Sequence, residues 1–154
     1  MPEVTKPILA PLTEDEVKSL VNYWYFLLDV HAPVDQVLPL LADDGLEMQF
    51  PEATLRGKKE FIPWYEGVIR IFFDEVHVMQ RLQITRSADG AGADVELVVK
   101  WLAKRWRPPA ARSEWLGFDA SQRWVVVRSP QTQNPIILTY IVDALAPMEG
   151  SVAL

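Results

Sequence analysis

A chain of 154 residues has the length of one domain, and its lack of cysteine excludes disulfides, zinc–thiolate sites and thiol nucleophiles. Its 21 acidic against 15 basic residues leave a net charge of −6, which argues against a nucleic-acid partner. The local basic cluster Lys100, Lys104, Arg105, Arg107 and Arg112 reads as a solvated strand end and loop. No apolar run approaches the ~20 residues that span a bilayer, and no basic segment leads into an apolar one near Met1. No membrane partner is therefore expected, and the cytoplasm is the expected setting.

Prolines at 2, 7 and 11 make residues 1–12 an extended, loosely held arm. The single domain is expected over 13–146, with 147–154 as a tail. Thr13-Glu14-Asp15-Glu16 is a capping box, and three acids suit the positive end of a helix dipole. Val17, Leu20, Val21, Trp24, Leu27 and Leu28 then recur at helical spacing as one buried stripe, with Tyr25 at its border. His31-Ala32-Pro33 breaks this helix. Pro33 starts a second, short one, which Pro39 should kink or end.

Leu46, Met48 and Phe50 alternate with polar residues as a short strand, and Ala53–Arg56 follows Pro51-Glu52 as a second. Gly57 opens a helix with Phe61, Trp64, Tyr65, Val68, Ile71 and Phe72 on one face. Pro63 should make its first turn irregular. From Asp74 the period becomes two. Val76, Val78, Gln80, Leu82 and Ile84 alternate with a phase that holds His77, Met79 and Arg81. Which phase faces inward is left open.

The run 88–92 is a hairpin loop, and Val95 to Lys104 a further strand. Strand resumes at Ser113, with a turn or bulge at Asp119-Ala120-Ser121, and the last two extended runs are Arg123–Arg128 and Ile136–Leu145. Val125–Val127 and Ile136–Leu138 are apolar on both phases. A second subunit is therefore expected to cover the outer face as a homodimer.

The order of these elements resembles the nuclear-transport-factor-2-like superfamily, which includes ketosteroid isomerases, SnoaL-like polyketide cyclases and the small subunits of ring-hydroxylating dioxygenases. The resemblance is carried by Tyr25, Leu40-Leu41-Ala42-Asp43-Asp44, Leu46–Phe50 with Pro51, Arg56-Gly57-Lys58-Lys59-Glu60-Phe61 and Glu114-Trp115-Leu116-Gly117-Phe118-Asp119. It implies an α+β cone: a curved, largely antiparallel but mixed sheet with about three helices on its concave face, and a pocket for a small organic ligand.

For the isomerase branch, the resemblance puts an oxyanion-hole tyrosine at Tyr25 and a protonated acid at Glu114. The base position falls on Gln49 or Phe50, neither of which can take a proton from carbon. Glu52 and Glu47 are the fallback bases. Trp24, Gln49, Phe50, Trp64, Tyr65 and Trp101 are the candidate ligand-binding residues, while Trp124 and Tyr140 add aromatic weight. Two histidines 46 apart, without cysteine, give no metal site, and no cofactor is expected. Two functions remain open: an isomerase, cyclase or dehydratase of the SnoaL-like class, acting on a cyclic or carbonyl-bearing compound, or a non-catalytic binding or accessory module.

Overall fold

The computed structural model describes residues 9–154, so residues 1–8 of the arm expected over 1–12 lie outside the described residues, and residues 9–12 are not loosely held, since Leu12 is fully buried. Helix α1 spans Glu14–Asp29 and starts on the capping box: Thr13 Oγ1 accepts from the Glu16 amide at 3.1 Å, and Glu16 Oε1 accepts from the Thr13 amide at 3.2 Å. Its stripe of Val17, Leu20, Val21, Trp24 and Leu27 is buried. Helix α2, Val34–Val37, passes into a 3-10 turn over Leu38–Leu40, where Pro39 lacks the amide to extend an α-helix. Helix α3, Lys58–Ile71, is α-helical from its first turn and continues through Pro63, and it buries Phe61 and Tyr65.

The strands are β1 (Glu47–Gln49), β2 (Thr54–Arg56), β3 (Phe72–Arg86), β4 (Gly92–Arg105), β5 (Glu114–Arg128) and β6 (Pro135–Pro147). They form one sheet in the order β2-β1-β6-β5-β4-β3. The β1–β6 pair is parallel and the others are antiparallel. This is the expected α+β architecture: three α-helices packed on a curved, unclosed mixed sheet. The apolar core lies between them, with Trp24 against Trp124 (ring centroids 6.2 Å) and Tyr140 (5.6 Å).

Two irregularities place side chains that alternation alone misassigns. In β3 the register against β4 shifts between Met79 and Arg81. Before this bulge Glu75 and His77 face the helices, and Val76 and Val78 are exposed. After it Leu82 and Ile84 pack on the core. One extra residue reverses the inward phase within a single strand. Strand β5 runs unbroken through Asp119–Ser121 in continuous register with β4, and the two register shifts against β6, at Ser121/Gln122 and Val125/Val126, leave the extra residues Asp143 and Leu138 on β6.

Both ends of the described chain are tied down. Arg128, at the end of β5, donates to the carbonyls of Ala10 (2.6 Å) and Pro11 (2.9 Å) and to both carboxylate oxygens of Glu16 (2.8 and 2.9 Å). The Leu12 amide donates to the Gly90 carbonyl at 2.9 Å. Gly90 has φ +71°, and a Cβ there would lie 2.5 Å from Pro11 Cβ, so the 88–92 loop requires glycine both for its backbone and for this contact. At the other end, the Val152 amide donates to the Trp115 carbonyl and Arg105 donates to the Ala153 carbonyl at 2.9 Å. These bonds lay the tail along the start of β5.

Candidate active site

Between α3 and the concave face of the sheet lies a cavity of about 1120 Å³. Its walls are mainly apolar and aromatic. Trp64 and Tyr65 come from α3, Trp101 from β4, Tyr140 from β6 and Phe50 from the end of β1, with Leu154 at the rim. Phe50 and Trp64 stack at 4.0 Å between centroids, so one flat wall is built from two elements.

Four polar side chains from the sheet line this apolar space: Glu75 and His77 on β3, Arg105 at the end of β4, held by Glu114 and the Ala153 carbonyl, and Gln122 on β5. His77 is held by Asp29, the last residue of α1. Its Nδ1 lies 2.6 Å from Asp29 Oδ1, and its backbone amide donates to Asp29 Oδ2 at 3.2 Å. A carboxylate only accepts, so Nδ1 carries a hydrogen, and in the neutral ring the lone pair is on Nε2. Nε2 has no hydrogen-bond partner among the described residues. The Tyr25 ring packs on the imidazole with centroids 4.7 Å apart.

Gln122 is fixed as firmly. Its Oε1 accepts from the Tyr25 hydroxyl at 2.9 Å and from Trp124 Nε1 at 3.0 Å. An indole nitrogen can only donate, so the carbonyl end of the amide must face Trp124. The NH₂ end, which has no partner among the described residues, is left for the cavity. The result is a preset donor on the same sheet face as His77.

Glu75 is buried, with 4% of its side chain exposed. Oε1 accepts from Trp101 Nε1 at 3.0 Å, and Oε2 lies 2.5 Å from His31 Nε2. Tyr65 donates to the Ala32 carbonyl at 2.6 Å, and burial, with the nearby Glu75 charge adding to it, pushes its phenol up to about 12. Burial likewise raises Tyr25 and Tyr140, so both stay protonated hydrogen-bonding groups at neutral pH.

The residues singled out from the sequence are dispersed. Phe50, Trp64, Tyr65 and Trp101 line the cavity, as does Glu52, which accepts from Trp64 Nε1 at 3.0 Å. Tyr25 and Trp24 are buried behind the wall. Gln49 donates to Glu47, which pairs with Arg56 at 3.1 Å, and neither Gln49 nor Glu47 lines the cavity. Glu114 begins β5, paired with Arg105 (3.3 Å) and Arg107 (3.6 Å), and is also outside the lining.

Sequence reasoning missed Asp29 and Gln122 altogether. Each left a signal: an acid in the last turn of a helix, where the dipole disfavours it, and a lone amide among Ala120, Trp124 and Val126 on the inward phase of β5. Among the described residues no cluster of three metal-ligating side chains occurs.

No family model matches the sequence, and no curated protein matches it either. Solved structures do. A protein assigned as a scytalone dehydratase from Novosphingobium aromaticivorans DSM 12444 has a TM-score of 0.69 at 16% identity, over 90% of this chain and 88% of that one. A hexachlorocyclohexane dehydrochlorinase from Novosphingobium barchaimii LL02 has a TM-score of 0.69 at 12% identity, over 91% and 92%. The beta subunit of the benzoate 1,2-dioxygenase from Burkholderia mallei ATCC 23344 has a TM-score of 0.67 at 12% identity, over 91% and 93%. At such identities the likeness speaks for architecture alone: the chain has the cystatin-like fold of nuclear-transport-factor-2-like proteins.

Proposed function

We propose that the cavity binds a small cyclic organic molecule and that His77, oriented by Asp29, removes a proton from one of its carbons in an elimination such as dehydration. The observation that carries this reading is the Asp29–His77 pair at the wall of a mainly apolar cavity. An imidazole whose Nδ1–H is held by a carboxylate has a basic Nε2, and the imidazolium formed on proton transfer is stabilised by the same carboxylate. The Gln122 amide would donate to a carbonyl or hydroxyl of the ligand, and the Phe50–Trp64 wall would stack on its ring. Two of the similar structures support elimination chemistry, one assigned as a dehydratase and one named a dehydrochlorinase.

The base reading is tested with 5-nitrobenzisoxazole, an apolar aromatic probe that reacts by proton abstraction from carbon. The protein should accelerate this elimination, and His77→Gln should reduce the rate by ~10²–10⁴-fold. Turnover unchanged in His77→Gln would reject it.

The accessory reading is favoured by a different observation, the exposed apolar residues Val76 and Val78 on the outer face of β3. One of the similar structures is a dioxygenase subunit. We assign this face to a homodimer contact that leaves the cavity open. The cytoplasm is the proposed setting, on composition.

A further inference from the structure

The pair formed by Glu75 and His31 is not used by the proton abstraction just described. Glu75 lies two residues from His77 on the same face of β3, about 6.6 Å along the strand at the usual rise. Its carboxylate is almost fully buried, yet among the described residues no lysine or arginine pairs with it. The groups that face it are Trp101 from β4, Tyr65 from α3, His77 on its own strand and His31 from the turn after α1. A buried carboxylate without a lysine or arginine is costly as an ion, and the 2.5 Å contact with His31 Nε2 lets a proton pass between the two. That proton is held on Glu75, beside a neutral imidazole, when the acid is loaded for use. His31 is 27% exposed, so the pair reaches from solvent to the cavity wall.

Backbone conformation adds a second, independent observation. His31 (φ +51°) and Asp74 (φ +50°), which precedes Glu75, both sit in the left-handed region that side chains rarely adopt. Among the described residues three non-glycine residues have positive φ, and two of them are one end of this pair and the neighbour of the other; such local strain concentrates at functional sites.

We propose that Glu75 is the acid of the site, recharged from solvent through His31, and that it protonates the oxygen that leaves. This rests on His77 acting as the base. In a dehydration, His77 Nε2 takes the proton from carbon and the C–H electrons form the double bond. The carbon–oxygen bond breaks, and the departing hydroxyl takes the Glu75 proton to leave as water. His31 then passes its Nε2 proton to Glu75 and regains one from solvent, and His77 releases its own. The substrate class is a cyclic compound with a hydroxyl one carbon away from an acidified C–H.

The test uses the full chain with 1,2-benzisoxazole and its 5-nitro derivative. In both, a base removes the C3 proton and the N–O bond breaks to release a phenolate. The nitro group stabilises that oxygen, so its departure depends far less on an acid. Glu75→Gln should slow the unsubstituted probe by about 100-fold and the nitro probe by less than about tenfold. His31→Gln, at a partly exposed position, should give the same pattern and serves if Glu75→Gln does not fold.

Equal slowing of both probes, or of neither, in the Glu75 and His31 variants overturns the acid role. Unchanged rates in His77→Gln overturn the base reading instead, and a wild type inert toward both probes overturns the two together. With only two histidines in the chain, ¹⁵N spectra add a readout without turnover. Glu75→Gln should move the His31 Nε2 signal and leave that of His77 in place; an unmoved His31 signal overturns the relay.

Discussion

Asp29 occupies the last position of α1, where a negative charge faces the negative end of the helix dipole and costs about 0.3–1 kcal/mol. The cost is offset by two hydrogen bonds to His77, and the same placement brings a carboxylate from the helix layer to a histidine on the sheet. Gln122 shows a similar economy: two buried donors fix one end of its amide so that the other end is aimed. Gln122→Glu keeps an oxygen for Tyr25 and Trp124 but removes the donor. It should raise the KM of a carbonyl-bearing ligand by about tenfold, the worth of one hydrogen bond, and lower the thermal midpoint, because the new carboxylate is buried without a cation. Steady-state kinetics beside a melting curve checks this. Neither residue was found from the sequence, because an acid at a helix end and one amide in a strand also occur as ordinary surface features. Their partners lie 48 and 97 residues away.

At the scale of elements, α1, the 3-10 turn and the hairpin loop were legible because each is set by local chemistry: the Thr13 cap, Pro39, and the glycines of 88–92. The phase of β3 was not, since a bulge depends on the pairing partner and leaves no fixed mark in the strand itself. The Arg128–Glu16 clasp is likewise non-local, and it gives acid sensitivity a definite address. Hydrogen bonding to Arg128 lowers the Glu16 carboxyl from its ordinary 4.5 to about 2. The folded state therefore resists taking up that proton more than the unfolded chain does. Its contribution to stability is complete above about pH 4.5 and is lost as pH falls toward 2. Glu16→Gln should be less stable at pH 7, and its unfolding midpoint should fall less between pH 4.5 and 2 than that of the wild type. Urea titrations across that range measure both.

For the whole molecule, the curved sheet has polar groups in the cavity on its inner face and an apolar patch, Val76 and Val78, on the outer face of β3. Val76 and Val78 are 45% and 41% exposed on a strand that forms the sheet's edge, a surface natural proteins seldom leave uncovered. A dimer of two 17.5 kDa chains would have a mass of about 35 kDa by light scattering. Val78→Lys should return it to about 17.5 kDa without loss of helix signal, and a wild type already monomeric would remove the dimer.

The bulge between Met79 and Arg81 has a consequence for how this chain can vary. It divides β3 into a leading half whose inward positions carry proton-handling groups and a trailing half whose inward positions carry hydrocarbon. Substitutions within either half act separately, because each half keeps its own alternation. The length of the strand is another matter. Removing Gln80 would put both halves on one alternation, a regular ladder with Met79 opposite Val99 and Arg81 opposite Val98, and His77 and Leu82 would still face inward. The spare residue at the middle of β3 is thus the one whose deletion the pairing absorbs, whereas losing the bulge with Gln80 in place would turn either His77 or Leu82 toward water.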